Sequence, residues 1–391
     1  MSNVDTDLIL VQRESAFKRW CLRNIARPQP PQEFVPQIDG LRFVAIMAVL
    51  LYHVQGFVAA KAATAGQGTP GLLQRILGEG SYGVPLFFAL SGYILCRPFM
   101  GGRQVSLKRY FTRRLTRLEP PYLISLILVF AAKIWALNLV FADLLPNLVA
   151  SLFYSHNLIY GAQSAVNGVA WSLEVEWQFY LLAPLIFAIV ARSPGFLRHA
   201  GLLILIALGG WAYAAGFDAN PRVDLSLLRY FGFFMAGVWV AVLDEDHPAF
   251  GRDSVLFDLL GVAAWAGVLA ALLGGRQYTV YLPALTALIV LCGVRGYVFR
   301  KVLGWWPIYC VGAMCYTIYL YHFFVVSAVG RAFAAMVGWP GSADGALLLF
   351  SLVSIPLVLV ACVVPYLLIE RPFMVWRPGR NRLVDAFRRP S

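Results

Sequence analysis

The sequence predicts an all-α polytopic membrane protein, a bundle of about ten transmembrane helices with both termini cytoplasmic. Three observations point there. Hydrophobic residues fill 60% of the 391 positions and charged residues 13%, whereas a soluble domain carries roughly 25% charged residues. Apolar runs long enough, or nearly so, to cross a bilayer (roughly 17 residues or more) recur along the chain. The lysines and arginines fall mostly on alternate loops, as expected when basic loops stay in the cytoplasm.

In chain order, residues 1–37 read as a polar, basic cytoplasmic arm ending in the Pro-rich PQPPQEFVP. The arm has no apolar core followed by a small-residue cleavage site, so it is not expected to be a removable signal. The transmembrane domain is assigned to residues 38–370, with spans at 38–60, 80–97, 118–141, 169–190, 201–216, 227–243, 255–273, 278–294, 306–328 and 346–368. The stretch 144–160 is semi-apolar but holds Pro146, Asn147, His156 and Asn157, and is expected to form a re-entrant or interfacial helix. Residues 371–391 form a basic cytoplasmic tail too short to fold alone.

With ten spans, the arm, the tail and the loops on their side hold 24 of the lysines and arginines. The opposite loops hold six: Lys61, Arg75, Arg222, Arg229, Arg276 and Arg331. The net charge of +12 therefore reflects topology and anionic lipid, not nucleic acid. Cys21, Cys96, Cys292, Cys310, Cys315 and Cys362 show neither metal-ligand spacing nor a pairing framework. They read as small buried hydrophobes.

Ionisable residues within the apolar runs are the candidates for chemistry, because charge at membrane depth is costly and faces protein or water rather than lipid. Arg42 and His53 lie eleven residues apart in IDGLRFVAIMAVLLYHV. That spacing is close to three helical turns, so both side chains share a face about 16 Å apart along the axis. An imidazole can accept a proton near physiological pH. The plainer reading of His53 is a neutral ring hydrogen-bonded to a neighbouring helix. In KRYFTRRLTRLEPPY (108–122), Arg114 and Arg117 fall three apart on one helical face, and Pro120 and Pro121 are expected to break or kink the helix. Arg103, Lys108 and Arg109 read as snorkelling anchors. Arg42, Arg114 and Arg117 instead form a guanidinium set suited to a phosphate-bearing ligand.

Within WSLEVEWQFY (171–180), Glu174 and Glu176 face roughly opposite sides of a helix, so at most one shares a cavity with His53. Glu176, deeper in its span, is the candidate, either to orient or charge-balance the imidazole or to bind sugar hydroxyls. Ser91 and Gly92 in FFALSGYIL fit close helix packing. A supporting or acceptor-side role is open for His322 in CYTIYLYHFF. Lys133 has no evident partner, and Glu370 beside Arg371 and Pro372 reads as a helix-terminating ion pair.

Taken together, the motifs resemble the acyltransferase-3 family of integral-membrane O-acyltransferases over about residues 38–373. The resemblance rests on IDGLR-x10-H (Asp39, Gly40, Arg42, His53), FFALSGYIL (Ser91, Gly92), RRLTRLEPPY (Arg114, Arg117, Pro120, Tyr122), WSLEVE (Trp171, Ser172, Glu176), YTIYLYH (Tyr319, His322) and the closing ERP. Any one motif is weak, but six in the family's order are specific. The resemblance implies about ten helices and transfer of an acyl group onto hydroxyls of carbohydrates or small natural products. The donor is usually acetyl-coenzyme A as co-substrate, with no tightly bound cofactor and no metal. Also implied are an essential His53, expected to act as base or to take the acyl group itself and relay it, donor contacts from Arg42, Arg114 and Arg117, and a place in the site for Glu176. Asp39, Ser91, Tyr122, Trp171, Ser172 and His322 are assigned acceptor-side or supporting positions. The expected protein is a stand-alone transferase, without a fused extracellular hydrolase-like domain, in a bacterial cell membrane. A competing expectation is a transporter of a glycan or lipid-linked intermediate, with the same charges lining its path.

Overall fold

The computed structural model describes residues 15–28, 34–64, 71–100, 105–336 and 343–375. Among the described residues, nine helices are long and apolar enough to cross a membrane. The chain is an all-α, multi-pass membrane protein. Its helices are α1 (Ala16–Asn24), α2 (Pro36–Thr64), α3 (Leu72–Gly78), α4 (Gly83–Cys96), α5 (Leu107–Leu137), α6 (Phe141–Leu152), α7 (His156–Tyr160), α8 (Trp171–Arg192), α9 (Gly195–Ala215), α10 (Pro221–Asp224), α11 (Leu227–Asp246), α12 (Val255–Gly274), α13 (Leu282–Arg295), α14 (Tyr297–Leu303), α15 (Trp306–Ala313), α16 (Cys315–Met336), α17 (Ala343–Pro365) and α18 (Arg371–Val375).

The helix carrying Arg42 and His53 is a hub, since α2 packs against α4, α15, α16 and α17. A second close pairing joins α4 to α11. There a Cβ on Gly92 would collide with the Phe234 carbonyl oxygen, and one on Gly237 with that of Ala89. Glycine at these two positions lets the backbones approach, which is how helices associate without a hydrophobic driving force between them. Phe234 fills the seam, stacked on Phe88 at 4.7 Å and on Phe179 at 4.0 Å between centroids.

One of the ten expected runs falls short of membrane-crossing length, and another is broken in two but keeps one long helix. The second run forms α4, a helix of 14 residues between single 3-10 turns at Glu79–Tyr82 and Arg97–Phe99. Eleven of those 14 residues are buried, so its short length is shielded by protein rather than matched to lipid. The ninth run is interrupted at Met314, which separates α15 from α16.

Pro120 and Pro121, expected to break or kink their helix, do not break it; α5 runs through both to Leu137 and ends at left-handed Asn138 (φ 52°). Inside a bilayer a helix is the arrangement that satisfies the remaining backbone groups, and neighbouring helices make proline tolerable there. Beyond the prolines, Tyr122, Ser125, Leu126 and Phe130 are buried. The 144–160 stretch becomes α6, too short to cross, followed by α7.

Smaller corrections concern three charged residues. Lys133 has a partner, donating from Nζ to the Ala165 carbonyl at 2.6 Å. Glu370 and Arg371 do not pair with each other among the described residues. Glu370 Oε2 accepts from the Thr317 amide (3.0 Å) and hydroxyl (2.5 Å), and Arg371 donates to the Arg23 carbonyl. The helix does not stop there either, continuing through a π-turn at Tyr366–Glu370 into α18. All six cysteines are free and buried, as their apolar settings predict. Arg103, residues 1–14 and 29–33 of the arm, and the tail beyond Val375 lie outside the described residues.

Candidate active site

Helices α2, α4, α5, α8 and α16 wall a cavity enclosing about 740 Å³ free of protein atoms, counting the part open to solvent. Arg42 comes from the first turns of α2, and Arg114 and Arg117 from one face of α5. All three line this cavity, together with Ser91, Ser172 and Glu176. The helical spacing of the α5 arginines is what brings both to one wall, and the third guanidinium faces them from another helix. Arg42 is held by Asp39, one turn earlier, whose Oδ1 accepts from its Nη1. Arg114 also lies over the Tyr180 ring, 5.8 Å from its centroid.

Glu176 and Glu174 point opposite ways, as their spacing requires. Oε1 of Glu176 accepts from the Ser91 hydroxyl and from the Tyr180 hydroxyl (2.5 Å), which ties α8 to α4. Glu174 is buried away from the cavity, and its Oε2 accepts from the Asn157 amide at 2.8 Å. Glu176 makes no hydrogen bond to His53 among the described residues, so of its two expected roles the direct hold on the imidazole is not seen.

His53 meets another imidazole instead. His322 Nε2 lies 3.1 Å from His53 Nδ1, with ring centroids 4.8 Å apart. His322 Nδ1 faces the carbonyls of Ile318 and Tyr319, both at 2.9 Å, and must carry the proton there. Its Nε2 is therefore the acceptor. His53 Nδ1 then carries a proton shared between His322 and the Val49 carbonyl (2.9 Å). This network assigns the Nδ1–H tautomer to both rings and leaves the His53 Nε2 lone pair without a protein partner among the described residues.

The imidazole pair does not line the arginine cavity. Tyr319, which does, stands beside His322 with ring centroids 6.1 Å apart. The Tyr319 hydroxyl is bound to Ser172 at 2.6 Å and to the Val169 carbonyl at 2.8 Å. The bonded Tyr319–Ser172 pair thus lines the cavity on the side where Tyr319 meets His322.

Two sequence candidates lie elsewhere. Tyr122 is fully buried, donates to the Ser151 carbonyl (2.9 Å) and stacks on Tyr154. Trp171 packs on Tyr230, and its carbonyl accepts from the Asn157 side chain. Neither lines the cavity. Conversely, Tyr180, Tyr316 and Arg27 line it and were not among the candidates. Tyr180 was within reach, four residues after Glu176 and so on its helical face. A smaller hollow of about 270 Å³ shares the wall formed by Arg114, Glu176, Tyr180 and Tyr316, and adds Glu119, Tyr154 and Trp177.

A cationic cavity and a histidine pair, His322 buried and His53 half-buried, within a multi-pass helical bundle define an integral membrane protein with an internal polar site. The chain belongs to the acyltransferase-3 family, whose profile, an acyltransferase domain, matches residues 35–369. Peptidoglycan O-acetyltransferase OatA of Listeria monocytogenes serovar 1/2a is similar, 29% identical over 257 residues covering 61% of this chain and 34% of that protein. O-acetyltransferase OatA of Staphylococcus aureus strain NCTC 8325 is 24% identical over 328 residues, 75% of this chain and 51% of that protein. The chain thus spans between a third and a half of the length of these relatives. No solved structure matches. The family resemblance and the helical membrane architecture read from the sequence are both borne out.

Proposed function

We propose that this chain is a membrane O-acyltransferase, in its simplest form an O-acetyltransferase, moving an acyl group from acyl-coenzyme A to a hydroxyl of a carbohydrate or glycan. The observation that carries the reading is the convergence of Arg42, Arg114 and Arg117 on one cavity. Three fork-shaped donors in a partly enclosed space suit the phosphates of a nucleotide thioester. The family membership and the O-acetyltransferase names of the relatives support the same class of reaction. With the basic loops cytoplasmic, the donor enters from the cell interior.

In this reading the phosphates rest on the three arginines and the pantetheine arm, passing Tyr319 and Ser172, which must part to admit it, extends along α2 toward His53, a distance of about 16 Å. His53 Nε2 takes the proton of the acceptor hydroxyl as its oxygen attacks the thioester carbonyl carbon. The new C–O bond forms, the C–S bond breaks, and the imidazolium returns the proton to the leaving thiolate. The products are an ester and free coenzyme A. His322 keeps the His53 Nδ1–H oriented and shares the charge that develops on the ring, a task that carboxylates perform in other sites. Glu176, bound to Ser91 and Tyr180, serves the acceptor or the cavity's charge balance rather than the imidazole.

The purified chain in lipid nanodiscs, given acetyl-coenzyme A and candidate glycans, tests the reading. Acceptor-dependent release of free thiol with acetylated glycan by mass spectrometry is the expected result. A transporter would release no thiol even with its cargo present, and that outcome would sink the proposal.

A further inference from the structure

Arg27 belongs to the segment before the first span and lies outside the residues matched by the family profile. Yet it is only 7% exposed and lines the same cavity as Arg42, Arg114 and Arg117. Its Nε lies 2.9 Å from Asp39 Oδ1, and its Nη2 lies 3.8 Å from Cys315 Sγ. Its Nη1 is buried with no hydrogen-bond partner among the described residues. A buried N–H without an acceptor costs about 1–3 kcal/mol, so a group placed in this way calls for a ligand that satisfies it.

Charge arithmetic identifies the ligand's sign. Asp39 Oδ1 also holds Arg42, so one carboxylate faces two guanidiniums. The cavity lining contains four arginines and a single glutamate. Burial opposes the charge on Arg27, but the neighbouring carboxylates, Asp39 foremost, hold its proton more tightly than usual. The placement is built rather than incidental. The Tyr366 hydroxyl donates to the Ile25 carbonyl at 2.6 Å and Arg371 donates to the Arg23 carbonyl, pinning the segment on both sides of Asn24.

We infer that Arg27 is a fourth arginine of the donor site, supplied from outside the membrane domain, and that its free Nη1 edge takes a phosphate oxygen of the nucleotide thioester. The inference rests on the donor reading above.

The test is titration of coenzyme A into the purified full chain in nanodiscs. Arg27→Lys keeps a cation against Asp39 but loses the fork, and should raise the Kd about tenfold or more. Arg27→Gln removes the charge while leaving Asp39 paired with Arg42, and should show a loss at least as large. A Kd within twofold of the unaltered chain in either folded variant, while Arg114→Gln loses binding, overturns the role of Arg27 and spares the donor reading. If the unaltered chain binds no coenzyme A, both fall together.

Discussion

His322 accepts the Nδ1 proton of His53 across 3.1 Å, joining two helices whose histidines are 269 positions apart in the chain. The contact fixes the tautomer of His53 from the side opposite its free Nε2. A proton acceptor needs both a vacant lone pair and a fixed orientation, and here one neighbour provides the second without occupying the first.

Removing the base should be the most damaging change. In His53→Ala, acceptor-dependent thiol release is expected to fall by about 10²–10⁴-fold, with coenzyme A affinity nearly unchanged. Transfer near the unaltered rate in a folded His53→Ala protein would remove His53 from the mechanism.

His322→Phe keeps the ring's bulk but loses the acceptor for His53 Nδ1–H. Turnover should drop about ten- to hundredfold, the scale of a misplaced catalytic group, while donor binding stays intact. His322→Gln, whose side-chain oxygen can accept the same hydrogen bond, should recover part of the rate. Equal loss in both variants would indicate a packing role only.

Arg114→Gln and Arg117→Gln should act on the donor. A charge-assisted hydrogen bond contributes about 1.5–3 kcal/mol, which corresponds to roughly 10–100-fold in Kd for coenzyme A. Arg113, exposed and not part of the cavity lining, provides the comparison: Arg113→Gln should leave the Kd within about twofold. Isothermal titration of the three variants checks the contrast, and a uniform response would favour an anchoring role for the whole basic segment.

Gly92→Ala tests the α4–α11 seam. The added methyl meets the Phe234 carbonyl oxygen, and overpacking of this kind costs about 1–3 kcal/mol. A lower thermal midpoint in detergent is expected, with Gly56→Ala, where a Cβ meets nothing within 4 Å, as the neutral counterpart.

Much of this site could be read from local spacing. Arg114 and Arg117 share a wall because three residues make most of a helical turn, and Glu174 and Glu176 diverge because two residues do not. What spacing cannot give is register between helices. Nothing in IDGLRFVAIMAVLLYHV or CYTIYLYHFF states that His53 and His322 meet at the same depth, so the partner of the imidazole was sought in Glu176 instead. The prolines at 120 and 121 leave the helix unbroken for a different reason: their local penalty holds in water, but the bilayer enforces helix on the whole segment. Arg27 carried no signal at all, since a polar arm with scattered basic residues reads as solvated until Tyr366 and Arg371 are seen to fold it inward.

That clasp has a consequence for biogenesis. Ile25 and Arg23 leave the ribosome more than three hundred residues before Tyr366 and Arg371, which belong to the last of the long helices described. A chain that has not yet inserted that helix therefore holds Arg27 loose, and the helix's arrival seats it. Assembly and competence for substrate become a single late event.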